Sequence, residues 1–114
     1  FRSHLDHLIE DTDRVSQAKA INKAFSNNKY PTILSGDLND TPNSTTIDIL
    51  ESFWKASYTK ANPQLTFPSD KPIKKIDYVM FYPRKSWKVL SKETICDNIA
   101  SDHCAYLVTL ELLK

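Results

Sequence analysis

The sequence predicts an α/β or α+β fold built on a mixed β-sheet, and three observations lead to this prediction. With 114 residues, 40% of them hydrophobic, the chain can form one packed domain, or part of one, over residues 1–114. Short β-branched runs alternate with helical spacing in the first half, and strand-like runs follow one another in the second half. No repeat or low-complexity tract interrupts this order.

The first half predicts the order strand, helix, strand. Residues 1–4 end a strand, and Asp11 or Thr12 can cap a helix that begins near Asp13. Apolar residues of that helix recur at helical spacing, namely Val15, Ala18, Ile21, Ala24 and Phe25. The run at 32–34 is short and β-branched, which favours a buried strand over a helix.

A loop, a second helix and further strands are predicted for the rest of the chain. Residues 36–44 form the loop, and Ser44 or Thr45 can cap the helix. Its apolar residues are Ile47, Ile49, Leu50 and Phe53. The polar, proline-bearing stretch 56–75 is predicted as loop with at most short strands. Aromatic and β-branched content then predicts strands over residues 76–82, 87–95 and 105–112.

The charge balance limits the classes of partner. Lysine and arginine total 15, aspartate and glutamate total 14, and the net charge is +1. A strong sequence-independent grip on nucleic acid normally needs a basic excess, which this chain lacks. A nucleic-acid substrate is still compatible with the sequence, because a local basic patch can exist in a neutral chain. No apolar run of about 18 residues exists, so no membrane span is predicted.

The chain start and the two cysteines are less informative. The chain begins at Phe1 without a leader-like stretch, so we expect a segment of a longer protein and predict neither compartment nor oligomeric state. Cys96 and Cys104 lack neighbouring ligands at zinc spacing. We expect them to be small buried hydrophobes, and a disulfide between them is the alternative, which requires knowledge of their geometry.

Residues of the types that perform catalysis occur in four clusters at predicted strand ends. Functional residues converge at such ends in layered folds. The clusters are Ser3–His7, Gly36–Asp40, Lys75–Tyr78 and Ser101–His103. Each alone is weak evidence, because turns use the same residue types and a single histidine is often structural or solvated, as expected for His7. Their combination in one short chain predicts a site.

Two of these clusters predict specific chemistry. If strand geometry persists, Asp37 and Asn39 point to one side, where a carboxylate and an amide can bind a hard cation and orient water or a phosphate oxygen. The alternative is a surface turn. Asp77 lies inside an apolar run, and a buried carboxylate is costly without a partner, so we expect a histidine beside it.

In their order along the chain, these motifs resemble the later motifs of the endonuclease/exonuclease/phosphatase family. SHLDH, GDLND, KIDYVM and SDHCAY are similar to the family's THLDH, GDFN, IDY strand and terminal SDH. TFPS at 66–69 also resembles family members. The resemblance covers essentially the whole chain. It implies a DNase I-like four-layer α/β sandwich, of which this chain would be the C-terminal half, one mixed sheet with helices on one face.

The resemblance also implies roles in a metal-dependent phosphoesterase. Asp37 would orient the attacking water or a metal, and Asn39 would hold phosphate or nucleophile. Asp102, with Asp37 and Asn39, would contribute to a site for Mg²⁺ or Mn²⁺. His103 would be the general base or proton shuttle, and Asp77 would fix its tautomer. His4, in the first cluster, would contact phosphate oxygens or support the leaving group.

This sequence departs from the family pattern in ways that affect these expectations. The family's principal metal-binding glutamate belongs to an early half without a counterpart here, so we expect the isolated chain to be inactive and its sheet to need the missing half as partner. Arg2-Ser3 replaces the usual Asn-Thr, and Ala105 replaces a frequent proline. The alternative is a non-catalytic binding or assembly module on the same scaffold. The phosphate-ester substrate itself is not predicted.

Overall fold

A computed structural model describes residues 2–4 and 11–113, with side chains described from residue 13 to 113. His7 and the side chains of Asp11 and Thr12 lie outside these ranges, so the predictions on them are not tested. The elements are β1 Arg2–His4, α1 Asp11–Phe25, β2 Thr32–Asp37, α2 Thr45–Glu51, β3 Lys55–Ala56, β4 Asp77–Tyr82, a 3₁₀ helix Arg84–Ser86, β5 Trp87–Ile95 and β6 Ala105–Leu112.

The strands of the described chain form two sheets. The first has the order β1-β2-β4-β3 and is mixed, because β1 runs parallel to β2 while the other pairs are antiparallel. β5 and β6 pair with each other as an antiparallel ribbon. The predicted fold class, an α/β layering on a mixed sheet, is confirmed. The last two strands differ from the expected single sheet, since they form this separate ribbon.

Both helices pack on one face of the mixed sheet. Leu34 of β2 lies opposite Met80 of β4, and both side chains are fully buried. These residues form one cluster with Ala18, Leu38, Ile47, Leu50, Trp54, Tyr58 and Tyr78. The indole N–H of Trp54 donates to Oδ1 of Asn22 at 3.0 Å, which satisfies the polar atom of an otherwise apolar residue. The core thus lies between the sheet and the two helices.

Several predicted boundaries are shifted in the structure. Ser44 caps α2 as predicted, because its hydroxyl accepts the N–H of Ile47 at 3.2 Å. That helix ends at Glu51, however, so Phe53 lies beyond it. α1 begins at Asp11, before the expected start, and β2 continues to Asp37 where a loop was predicted. β3 falls at the edge of the stretch predicted as loop.

The preferred interpretation of the cysteines is wrong. Cys96 and Cys104 form a disulfide. Cys104 is buried, but Cys96 is exposed. The pairing of β5 with β6 brings the two together, since Ile95 lies opposite Ala105 and each cysteine is the next residue toward the connecting loop. Neither helix in the described part of the chain has the length and apolarity needed to cross a membrane.

Candidate active site

Three strands place their site residues side by side. His4 of β1 lies opposite Asp37 of β2, and Asp37 lies opposite Asp77 of β4. Residues opposite one another on neighbouring strands share a level and a face of the sheet. Three of the four sequence clusters therefore meet at one end of the mixed sheet. The side chain of His4 is outside the described ones, so its phosphate contact stays a prediction.

The end of β2 and the turn that follows it each contain one residue with a positive φ angle. Gly36, the only glycine of the sequence, has a φ of 142°, and Asn39 has a φ of 53°. The first value is accessible to glycine at little cost, and asparagine tolerates the second. The N–H of Asn39 donates to Oδ1 of Asp37 at 2.9 Å. Strand geometry does not persist from Asp37 to Asn39, so the turn, and not strand alternation, brings both residues to one cleft.

His103 lies between two carboxylates. Its Nδ1 is 2.7 Å from Oδ2 of Asp77, and its Nε2 is 3.5 Å from Oδ2 of Asp37. All three side chains are mostly buried, with exposures of 26% for His103, 20% for Asp77 and 15% for Asp37. The histidine partner expected for Asp77 is therefore present. It comes from the fourth cluster, in the loop between β5 and β6.

The surroundings of His103 favour its protonated form. Partial burial lowers the pKa of the imidazole, because burial penalises the charged form. The hydrogen bond to Asp77 and the negative charges of Asp77, Asp37 and Asp102 act in the opposite direction and prevail. The pKa of His103 consequently lies above its ordinary value. The hydrogen bond to Asp77 also fixes the orientation of the ring.

A buried threonine joins the sheet to the loop that carries His103. The hydroxyl of Thr66 accepts the N–H groups of Ile76 and Asp77, both at 3.2 Å. The carbonyl of Thr66 accepts the N–H of Cys104 at 2.7 Å, and the N–H of Ser69 donates to the carbonyl of Asp102 at 2.8 Å. The segment 66–69 thereby connects the strand that carries Asp77 with the residues on either side of His103.

The site opens into a cleft of about 490 Å³. Its lining combines acidic, amide, imidazole, aromatic, aliphatic and basic side chains: Asp37, Asn39, Phe67, Lys74, Ile76, Asp102 and His103. The rings of Phe67 and His103 are 4.9 Å apart, and Nζ of Lys74 lies 5.2 Å from the centre of the Phe67 ring. The cleft therefore places carboxylate, imidazole and ammonium groups around a space that is large enough for a small molecule.

The donor set fits a hard divalent cation. Ligand atoms of Asp37, Asp77 and His103 lie within 4.8 Å of one another. Asp77 and His103 are hydrogen-bonded to each other, so each already has a partner within this group. Asp37, Asn39 and Asp102 supply further oxygen atoms along the same cleft. Carboxylate and amide oxygens are the ligands preferred by cations of the Mg²⁺ type.

Solved structures provide the comparison with known proteins. A functionally unknown conserved protein from Enterococcus faecalis aligns with a TM-score of 0.79 at 25% identity, over 97% of this chain and 48% of that one. An endonuclease/exonuclease/phosphatase from Bacteroides vulgatus aligns with a TM-score of 0.78 at 26% identity, over 96% of this chain and 47% of that one. A mannosyl-6-phosphatase from Bacteroides thetaiotaomicron aligns with a TM-score of 0.71 at 21% identity, over 98% of this chain and 50% of that one. No family model and no curated protein matches the chain.

The chain has the endonuclease/exonuclease/phosphatase fold. The resemblance expected from the sequence is thus confirmed by solved structures that align over nearly the whole chain. The chain spans about half the length of these structures, as expected for half of a domain of this fold.

Within this fold, the predicted site residues with described side chains come together. Asp37, Asn39, Asp102 and His103 all line the cleft, and Asp77 contacts His103. Asp102 is exposed at the rim, whereas the other residues lie deeper. Their chemical roles remain predictions, because position alone does not establish a role.

Some residues around the site were not predicted from the sequence. Thr66, Phe67 and Lys74 belong to a hairpin-like segment in which Phe67 forms a bridge with Lys74. Its prolines and polar residues are typical of an irregular loop, so only the TFPS resemblance pointed to it.

A buried lysine was also missed. Lys75 is 1% exposed, and its ammonium group lies over the rings of Tyr58, Tyr78 and Tyr106, 3.5 Å from the centre of the last. Burial lowers the pKa of Lys75 to about 7. The electron-rich ring faces offset part of the cost of removing the charge from water. The sequence offers no signal for this burial, since lysine is ordinarily an exposed residue.

Proposed function

We propose that this chain belongs to a metal-dependent phosphoesterase that hydrolyses a phosphodiester or phosphomonoester. The observation that carries the proposal is the arrangement Asp77–His103–Asp37, a histidine hydrogen-bonded by one carboxylate and facing a second one in a cleft. Carboxylate–histidine pairs of this kind transfer protons in many hydrolases. The fold shared with the Bacteroides vulgatus protein supports the same class of reaction.

The proton steps follow from the hydrogen bonds of His103. Nδ1 is committed to Asp77, so Nε2 is the atom that exchanges a proton in the cleft. A water in the cleft that is hydrogen-bonded to both Nε2 and Asp37 would lose its proton to the imidazole as it attacks phosphorus. Because the pKa of His103 is raised, the acceptor form becomes populated as the pH rises through that value. Asp77 stabilises the imidazolium that results.

Asp37, Asn39 and Asp102 are the residues that would hold Mg²⁺ or Mn²⁺. Such a cation, when bound, neutralises the charge that develops on the phosphoryl oxygens. The amide of Asn39 would hold a phosphate oxygen or the nucleophile, and the turn through its positive φ fixes it next to Asp37. Lys74 adds a positive charge at the rim, where it would contact the phosphate ester.

The chain spans about half the length of the matching structures, so we infer that a further half completes the site. That half would supply the remaining metal ligand and pack against the mixed sheet. The isolated chain would then lack activity. The substrate would be a phosphate ester. Nucleic acid belongs to this class, and the near-neutral charge of the chain is compatible with it.

Hydrolysis of bis-p-nitrophenyl phosphate with Mg²⁺ or Mn²⁺ tests the proposal. The chain is assayed alone and in the longest natural protein that contains it. We expect turnover only in the longer protein and a loss of about 10²–10⁴-fold on His103→Ala, the range that general acid–base catalysis supplies. Lys29→Ala, at an exposed position on the connection to β2, is the matched control and should retain full activity.

Two outcomes would contradict the proposal. Unchanged turnover in His103→Ala would show that the histidine does not transfer the proton. Absence of turnover in the longer protein, tested also with phosphomonoesters and with DNA and RNA, would favour a non-catalytic binding or assembly module on this scaffold.

A further inference from the structure

The loop that carries Asp102 and His103 is closed by a covalent bond. We call residues 97–103 the hairpin loop. It connects β5 to β6, and the Cys96–Cys104 disulfide joins its two ends. Cys104 directly follows His103, so the bond is attached next to the residue that pairs with Asp77. No other described part of the site has a covalent restraint of this kind.

The hairpin loop has little packing of its own. Residues 97–102 are exposed, and Ile99, its one large apolar side chain, is 94% exposed. Asp97 organises the turn through its carboxylate, which accepts the N–H groups of Ile99 and Ala100. These bonds lie within the loop and do not attach it to the sheet. Exposed hydrogen bonds of this type contribute little net stability.

Attachment to the rest of the molecule is concentrated at one end of the loop. Ser69 binds the carbonyls of Ser101 and Asp102, and Thr66 binds the N–H of Cys104. At the other end, Cys96 is exposed and follows the last ribbon pair. Beyond the Ile95–Ala105 pair of the ribbon, the disulfide is the link that holds the Cys96 end of the loop against the buried Cys104.

We propose that Cys96 and Cys104 are positioning residues of the site, and that reduction of their disulfide releases the hairpin loop and separates His103 from Asp77. The inference rests on the proposed function for its catalytic consequence, but its structural part stands on the loop geometry. The disulfide would thus make the hydrolase sensitive to dithiol reductants.

The reduction is a balanced exchange. A thiolate of the dithiol attacks the sulfur of the exposed Cys96, and a mixed disulfide forms while Cys104 leaves as a thiolate. The second thiol of the reductant then displaces Cys96 and closes a cyclic disulfide. Two electrons and, after protonation, two protons pass to the cysteines, and the dithiol is oxidised. The exposure of Cys96 provides the access that this attack requires.

The test follows the Asp77–His103 hydrogen bond by proton NMR, independently of any activity. In the oxidised chain, the imidazole N–H shared with Asp77 should give a low-field resonance, assigned by its loss in Asp77→Asn. We expect dithiothreitol to remove this resonance while the indole N–H signal of Trp54, in the core, is retained. Cys96→Ala should have the same effect without dithiothreitol, because it breaks the bond and leaves the buried Cys104 in place.

Each other outcome overturns the inference. A low-field resonance that survives in both reduced chain and Cys96→Ala would show that the hydrogen bonds of Thr66 and Ser69 suffice to position His103. Loss of both the low-field resonance and the Trp54 signal would show that the disulfide stabilises the whole fold and not the loop alone. Ser91→Ala, on the ribbon and away from the loop, is the control and should keep both signals.

A second measurement separates this inference from the proposed function. In a preparation that hydrolyses bis-p-nitrophenyl phosphate, reduction should lower kcat by at least about ten-fold and leave KM nearly unchanged, because a misplaced catalytic group slows the step more than it weakens binding. Unchanged kcat would contradict the positioning role. Absence of hydrolysis in both redox forms would count against the proposed function and leave the NMR result unaffected.

Discussion

The mixed sheet and the β5–β6 ribbon are stabilised by different interactions. Between the mixed sheet and its helices, Leu34, Trp54 and Met80 are fully buried. In the ribbon, Leu107 is 50% exposed and Leu112 49%, and the two strands are closed by a disulfide beyond their last pair. The sheet residues of the site are therefore held by packing, whereas His103 is held by a few hydrogen bonds and one covalent link. The site is assembled where these two regions meet.

Matched leucine truncations give the largest expected difference in stability between the regions. Leu34→Ala removes a fully buried side chain and should lower the free energy of unfolding by about 2–5 kcal/mol. Leu107→Ala, on the ribbon, should cost about 1 kcal/mol or less. Urea unfolding of both variants measures this. Equal losses would mean that the ribbon is as well packed as the core.

Asp77→Asn breaks the link between the two regions at the site. The asparagine cannot stabilise an imidazolium, so we expect a loss of at least about 10²-fold in hydrolysis by the complete enzyme. The pKa of His103 should fall, since the hydrogen bond and charge of Asp77 raise it. The acid limb of the pH–rate profile should therefore move to lower pH. Asp70→Asn, exposed near the cleft, is the control, and an unmoved limb would contradict the pairing.

Lys75 makes the packed region dependent on pH. Its pKa is lowered to about 7 in the folded chain, so the unfolded chain binds more protons above pH 7. The contribution of Lys75 to the free energy of unfolding should rise by a few kcal/mol between pH 7 and the ordinary pKa of lysine. Lys75→Met should remove the rise, as measured by urea unfolding at several pH values. The raised pKa of His103 has the opposite effect, and its contribution cancels in the difference between the two proteins.

The smallest expected effect concerns the helix cap. Ser44→Ala leaves the N–H of Ile47 without its acceptor and should lower stability by about 1 kcal/mol. Ser91→Ala, exposed on β5, should change it by less than about 0.5 kcal/mol. A difference of this size is visible in thermal unfolding. Equal effects would show that Ser44 does not stabilise α2 through its side chain.

The sequence predicted the elements whose pattern is local. The strand β4, the cap at Ser44 and the extent of β5 and β6 follow from β-branched content, capping chemistry and turn residues. The partner of Asp77 could be predicted as a histidine because an unpaired buried carboxylate is costly. Features that depend on distant contacts were not predicted. They include the separation of β5 and β6 from the sheet. The disulfide was only the alternative interpretation of the two cysteines, and it exists because the pairing of β5 with β6 aligns Cys96 with Cys104.

The site residues could be predicted because they belong to local sequence motifs. The residues around them were missed because their roles depend on tertiary contacts. Asp37, Asn39 and His103 occur in short motifs whose residue types have few structural uses in combination. Thr66 and Lys75, by contrast, are ordinary in sequence, and their importance follows from burial. Burial of a lysine among tyrosines depends on the tertiary fold, which single residue types do not encode.

The row formed by His4, Asp37 and Asp77 also determines where the chain can change length during evolution. Inserting one residue within β2 or β4 would turn the acidic side chain beyond it to the opposite face of the sheet, because side chains alternate with a period of two. Length variation should therefore be confined to the connections. The stretch between β3 and β4 can absorb insertions at its exposed positions around Asn62, where homologous chains should differ most in length.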